Sequence, residues 1–319
     1  MLYRKKWGVF LDGSLSDHFM LKNCMIMAEK FEPTDIYIFK HFEKPDIPKL
    51  IYEQIPDLHE PEKKYMQSQL KHDLRNYDFG KSRVHVKILE GTRLSSILNF
   101  ASKTQLDLLL ATVKKNMPLQ GEIASKIARK GPCSMMILPD RPISSFGHIF
   151  SPVDFSSYTE LCVKASKSLY KSMEGHTITF HHSYYNADKY LNSVYETPLE
   201  VHDTISKKTI IDQKLHDYYY FKLHHLVAGD TPDELRHEKL SLRALGPQET
   251  FGHSIISEIE VANPDIIVLG ARGQSKSVAV LLGGTTESVL SLYHDVPILI
   301  MRQPGDNKGI IRSLLRKTQ

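Results

Sequence analysis

Short apolar runs separated by amphipathic stretches recur along the chain, and the whole rhythm occurs twice. In the first half an apolar run at Trp7–Leu11 ends in Asp12. It leads into a helical period from Asp17 to Phe31, with Phe19, Met20, Cys24, Ile26 and Met27 at its apolar positions. Runs at Ile36–Phe39, Val84–Leu89, Leu108–Thr112 and Ser134–Leu138 read as further strands, with helices between the later ones. The second half repeats the plan. His148–Val153 runs into Asp154, a helix follows near Glu160–Met173, and strands are expected at Thr177–His181, Leu240–Leu245, Ile266–Gly270 and Pro297–Met301. Short buried strands alternating with helices predict two tandem Rossmann-like α/β domains, each an open parallel five-stranded sheet flanked by helices.

The stretch Pro139–Gly147 is rich in turn formers and poor in helix signal, so the boundary is placed there. The expected division is residues 1–142, then 143–303, then a basic tail over 304–319. Each half carries a long polar region between its second and third strands. In the first this is 43–61, with Pro45, Pro48, Pro56 and Pro61; in the second it is a larger insert at about 184–239 containing Tyr218-Tyr219-Tyr220-Phe221. That aromatic knot reads as packing of the insert on its own domain, with a partner surface as the alternative.

Composition sharpens the picture only a little. With 319 residues, 41% hydrophobic and 24% charged, the chain can bury two ordinary cores. A formal net charge of +4 spread along it does not point to nucleic acid. Cys24, Cys133 and Cys162 form no CxxC pair, which fits reduced thiols and a cytoplasmic setting. The opening segment does not read as a signal peptide, and no apolar run approaches the ~20 residues of a membrane helix. The basic amphipathic tail, Lys308–Lys317, is too short for a stable free helix and is expected to dock or fray, not to bind membrane.

The chemistry concentrates after the run Ile266–Leu269. Gly270 and Gly273 close that strand, and Gly283-Gly284-Thr285-Thr286 stand ahead of a helix beginning near Glu287. Glycines permit close backbone approach and positive φ. Free N–H groups at a helix start, helped by the helix dipole, attract anions. Threonine hydroxyls add donors, and open α/β sheets bind ligands beyond the carboxyl ends of their strands. Phosphate binding is therefore expected, although neither a Walker loop nor a GxGxxG fingerprint is present.

The spacing G-x2-G-x9-G, met by Gly270, Gly273 and Gly283, resembles the nucleotide signature of the universal stress protein family. The flanking text Leu281–Val289 and Val296–Ile300, and the opening Ser151-Pro152-Val153-Asp154-Phe155-Ser156, are similar to the same family. The resemblance implies a tandem universal stress protein that binds ATP or another adenine nucleotide, with or without magnesium, in a regulatory stress-response role. It implies that Pro152, Val153 and Asp154 border adenine and ribose, and that Ser183 stands where the family has an apolar residue against the base. Gly270, Gly273, Gly283, Gly284, Thr285 and Thr286 would wrap ribose and phosphates. Gly284 replaces the family's usual Ser or Thr, which loses a hydroxyl that Thr285 is placed to supply.

The first half resembles the family more weakly. Asp12 corresponds to Asp154, Asp107 to Asp265, and Glu122…Pro132 to Glu287…Pro297. Its loop from Thr112 to Glu122 is seven residues shorter than Gly270–Glu287, lacks both leading glycines and contains Pro118, so this half is expected to be a degenerate site. Neither catalytic residues nor a metal set are identified: His181-His182 point to opposite faces of a strand, and His224-His225 do not converge. Binding without fast turnover is the leading reading. A slow ATPase or related nucleotide-dependent enzyme, and a scaffold with a vestigial loop, are the alternatives. The family's habit of pairing through last strands predicts an intramolecular pseudo-dimer between Ser134–Leu138 and Pro297–Met301, with a homodimer as a further step.

Overall fold

Two clasps, one in each half, show how this sequence repeats itself. The backbone N–H of Lys6 donates to Asp107 Oδ2 at 2.9 Å, and the Asp107 N–H returns to the Lys6 carbonyl at 2.9 Å. In the second half the His148 N–H donates to Asp265 Oδ2 at 2.8 Å, and the Asp265 N–H returns to the His148 carbonyl at 2.8 Å. Each aspartate pins the start of a unit's first strand to the start of its fourth.

The computed structural model describes residues 6–43, 48–55, 57–113, 123–143, 145–191, 198–229, 237–273, 282–293 and 295–303. The shortened loop with Pro118, most of the stretch between Gly273 and Gly283, and the basic tail lie outside the described residues. The chain divides into two compact units, Met1–Ser144 with His294–Gln319, and Ser145–Tyr293.

The first unit runs β1 (Lys6–Leu11), α1 (Ser16–Phe31), β2 (Asp35–His41), α2 (Lys49–Gln54), α3 (Glu60–Asp73), β3 (Arg83–Leu89), α4 (Arg93–Thr104), β4 (Leu108–Val113), α5 (Ile123–Lys130) and β5 (Ser134–Pro139). These five strands are parallel in the order β3-β2-β1-β4-β5. The core strands carry continuous apolar runs because helices cover both faces. Trp7, Phe39 and Leu110 are fully buried, and the Trp7 ring packs on Phe31 of α1 with centroids 6.1 Å apart.

The second unit runs β6 (His148–Pro152), α6 (Thr159–Ser172), β7 (Thr177–Tyr185), α7 (Pro198–Ala228), β8 (Glu238–Leu245), α8 (Phe251–Ala262), β9 (Ile266–Gly270) and α9 (Gly284–Leu292). Its strands are parallel in the order β9-β6-β7-β8, the same winding as β4-β1-β2-β3. The α/β class and the paired Rossmann-like topology are as the periodicity predicts. The insert is mostly one helix: α7 is 31 residues long. Its aromatic knot divides, with Tyr218, Tyr220 and Phe221 exposed and Tyr219 turned toward the strands.

The last strand of the sequence, β10 (Ile298–Met301), belongs to the first unit. It pairs antiparallel with β5 in the register Ile298–Ile137, Leu299–Met136 and Ile300–Met135. The run at Pro297–Met301, counted with residues 143–303 on sequence grounds, thus completes the other half's sheet. All four residues of β10 are buried, and so is β5. A fragment ending at residue 142 would leave β5 with a bare apolar edge. We expect such a fragment to self-associate in size-exclusion chromatography with light scattering, whereas the full chain does not precipitate under the same conditions; a stable monomeric fragment would contradict the pairing.

Candidate functional site

Strand order reverses in the second unit between β6 and β9, and both strands end on the same side. Such a switch point leaves a crevice beyond the carboxyl ends. A cleft of about 800 Å³ opens there. Pro152, Val153, Asp154, Ser183, Gly270, Gly273, Gly283, Gly284, Thr285 and Thr286 all border it, so the ten residues singled out from sequence are brought together in space.

Asp154 is held from its own side of the cleft. Its Oδ1 accepts the Ser156 N–H at 3.0 Å and the Thr159 hydroxyl at 3.1 Å. Its Oδ2 faces Gly273, where an added Cβ would lie only 2.7 Å away. At Gly270 a Cβ would come within 2.9 Å of Tyr158 Cβ, and at Gly283 within 3.2 Å of the Gly273 nitrogen. These glycines serve close approach. None of them adopts the positive φ that the sequence reading also allowed. The Gly283 N–H donates to the Ala271 carbonyl at 2.9 Å, holding the residue before α9 against the end of β9.

Gly283 caps α9 in an extended conformation (φ −68°, ψ 145°). The Glu287 N–H takes the Gly283 carbonyl, so the N–H groups of Gly284, Thr285 and Thr286 have no intrahelical acceptor. They give the cleft a row of donors at the positive end of the helix dipole. The buried Thr286 hydroxyl donates to the Gly270 carbonyl at 2.7 Å and ties the helix start to the end of β9. At Gly284 a Cβ would meet nothing within 4 Å, so the space before the helix is open.

The other end of the cleft is aromatic, and the sequence reading missed it. His182, Tyr184, Tyr219 and Phe251 are among the lining residues, while Arg272 borders the cleft beside Gly273 and Gly283. His182 Nδ1 lies 2.7 Å from the Val153 carbonyl and donates to it. Its ring packs 4.6 Å from Phe155 and 4.7 Å from Tyr219. Phe155 holds a left-handed φ of 56°, costly for a residue with a side chain, and Lys222 Nζ sits 4.2 Å over its ring. Burial lowers the His182 pKa, which the Val153 hydrogen bond opposes and nearby Lys222 reinforces. Ser183 lies one residue on and is differently engaged, its Oγ 2.7 Å from His181 Nε2 and 2.9 Å from Ser254 Oγ. The signal for His182 is the paired His181-His182 in a strand, whose alternation puts the two rings on opposite faces without saying which one borders the cleft.

The corresponding corner of the first unit is built differently. Asp12 Oδ1 accepts the Ser14 N–H at 2.8 Å, as Asp154 accepts Ser156. Where the second unit has Thr159, the first has Asp17, whose carboxylate accepts the Asp12 and Gly13 N–H groups at 3.0 and 3.2 Å and pairs with Lys40 at 3.2 Å. Burial raises the Asp17 pKa while Lys40 opposes the rise. A second carboxylate beside the first disfavours an anionic ligand there. Among the described residues no group of three or more His, Cys, Asp or Glu side chains could hold a metal, and no helix is long and apolar enough to cross a membrane.

A doubly wound unit with a glycine-lined, helix-capped cleft at its switch point defines a Rossmann-like α/β domain. The fold as a whole is that of the tandem universal stress proteins. Neither a protein-family model nor a curated protein matches the sequence. Solved structures match over their full length. A universal stress protein from Archaeoglobus fulgidus DSM 4304 is 13% identical, with 97% of this chain and 100% of that one covered and a TM-score of 0.59. A putative universal stress protein from Pseudomonas aeruginosa UCBPP-PA14 is 13% identical over 98% of each chain, with a TM-score of 0.58. A functionally unknown protein from Pseudomonas aeruginosa PAO1 is 15% identical over 99% and 98%, with a TM-score of 0.59.

From the buried His181 a part-buried polar row crosses the unit. His181 Nδ1 lies 3.0 Å from Ser241 Oγ, Ser241 donates to Glu258 at 3.2 Å, and Arg243 joins Glu258 and Glu249 at 3.2 and 2.9 Å. Burial, with His182 and Arg243 nearby, pushes the His181 pKa down to about 3. A histidine held neutral contributes stability in full above its unfolded pKa, and that stability is lost as pH falls from about 6.5 toward about 3. Urea unfolding at pH 7 and pH 4.5 should show the parent losing about 2–3 kcal/mol through this one group. His181→Gln should lack that share of the loss; identical acid sensitivity in both proteins would count against it.

Proposed function

We propose that the second unit binds one adenine nucleotide of the ATP class and that the protein acts as a stress-type regulator more than as a fast enzyme. The observation that carries this reading is the start of α9, whose three free N–H donors face a cleft narrowed at Gly273 to the width of a backbone. Phosphates would lie at Gly283–Thr286, ribose beside Asp154 and Gly273, and the base beyond Val153. The residues fit such a ligand because a side chain at Gly273 would fill the cradle. Magnesium would travel with the phosphates, since Asp154 is the one carboxylate among the described lining residues. Slow turnover fits the same inventory: Asp154 Oδ1 already accepts from Ser156 and Thr159, so that oxygen is committed to its own turn and not to an attacking water. The Asp12–Asp17 corner supports a single site per chain, and regulatory action in the cytoplasm belongs to the same proposal.

The test is calorimetric titration of ATP into the full chain, with one equivalent bound per chain. Gly273→Val should lose affinity by a factor of ten or more, because its side chain meets Asp154. Gly284→Val provides the cleaner probe, since its side chain meets open space and should leave the urea midpoint unchanged while blocking the helix start. Parental affinity in both variants, two equivalents per chain, or turnover near the ~10 per second of a median enzyme would overturn the proposal.

A further inference from the structure

A run of direct contacts orders the cleft. The cap of α9 touches Gly273, Gly273 faces Asp154, Asp154 follows Val153, and the Val153 carbonyl accepts from His182. Along this run Gly273, Asp154 and Val153 stand between the helix start and His182. With Nδ1 committed as the donor to Val153, Nε2 is left as the acceptor on the far side of the ring. That atom is buried and has no hydrogen-bond partner among the described residues, and His182 as a whole retains only 6% exposure. The rings of Phe155, Tyr184 and Tyr219 surround the imidazole, at centroid distances of 4.6, 6.3 and 4.7 Å.

An unmet buried acceptor costs roughly 1–3 kcal/mol and calls for a partner. The apolar rings that flank it offer none, and they suit a flat heterocycle, which stacks on aromatic faces. Resting on the nucleotide reading above, we infer that His182 is the specificity-determining residue of this cleft: its Nε2 accepts a hydrogen bond from an amino group on the ligand's base, while Tyr219 of the insert helix α7 supplies the wall against which that base packs. The neutral ring required for this is consistent with burial and Lys222 both disfavouring its protonation. The inference also gives the insert a role, since Tyr219 is the described residue of α7 that lines the cleft. A site with a buried acceptor rejects an analogue that lacks the donor far more strongly than an apolar pocket does.

The experiment compares ATP with purine riboside triphosphate, which lacks the 6-amino group, by calorimetry on the full chain. The parent should bind ATP about tenfold more tightly, the discrimination of one buried hydrogen bond. His182→Phe should keep the aromatic packing, bind both ligands alike, and bind the analogue as the parent does. Tyr219→Ala should weaken both ligands together and leave their ratio unchanged. A second readout is independent of how the variants fold: the ¹⁵N resonance of His182 Nε2 in the parent should move on addition of ATP and stay put with the analogue. A preference for ATP that survives His182→Phe, or an Nε2 resonance indifferent to ATP, overturns this inference while leaving the nucleotide reading in place. Absence of binding of either triphosphate to the parent overturns both.

Discussion

Everything at the cleft follows from how two neighbouring parallel strands can end. β6 and β9 lie side by side, about 4.8 Å apart as in any sheet, and the chain leaving each must pass the other. The Asp154 carboxylate, braced by Ser156 and Thr159, occupies the gap. The loop after β9 can cross it only where it carries no side chain, at Gly273. The Gly283 N–H donates to the Ala271 carbonyl, and the Thr286 hydroxyl fastens the helix start to Gly270. The direction of α9, and with it the direction of its free N–H groups, is thereby a consequence of one missing Cβ. The first unit repeats the clasp and the turn, yet it puts Asp17 where Thr159 would brace the corner, so the same winding does not produce the same electrostatics.

Much of this was legible in the sequence because it is local. Strands such as Leu108–Val113 and Ile266–Gly270 announce themselves as short apolar runs, and the glycine spacing after β9 marks a backbone passing close to something. The role of those glycines was only half legible. Positive φ and close approach leave the same letter in a sequence, and the structure uses close approach. What could not be read depends on distant partners. The apolar run at Ile298–Met301 says strand, but nothing in it names β5 as its neighbour. Alternation places His181 and His182 on opposite faces without saying which face opens on the cleft. Ser183 is singled out in sequence because the universal stress protein family has a base-contacting residue at that position; it borders the cleft, and its hydroxyl also joins the polar row through His181. Tyr219 could be picked out from Tyr218, Tyr220 and Phe221 only once the helix had been laid against β7.

That interior row has a consequence for how the unit can vary. His181 stands directly opposite Ser241 in the β7–β8 ladder, and Ser241 hands on to Glu258 of α8. A slip of β8 by one residue would turn Ser241 to the other face and present Leu240 or Leu242 to the imidazole, leaving Nδ1 only the Glu258 carboxylate at 3.9 Å. The polar row thus acts as a latch on strand alignment that does not involve the connection between the two strands. That connection is the insert, which is the longest in the chain and is joined to the sheet at both ends by this independently registered ladder. Its length and composition can therefore drift ahead of Asp212, gaining or losing whole helical turns there, while the end of α7 stays anchored by buried Leu223 and Val227 and β8 keeps its place.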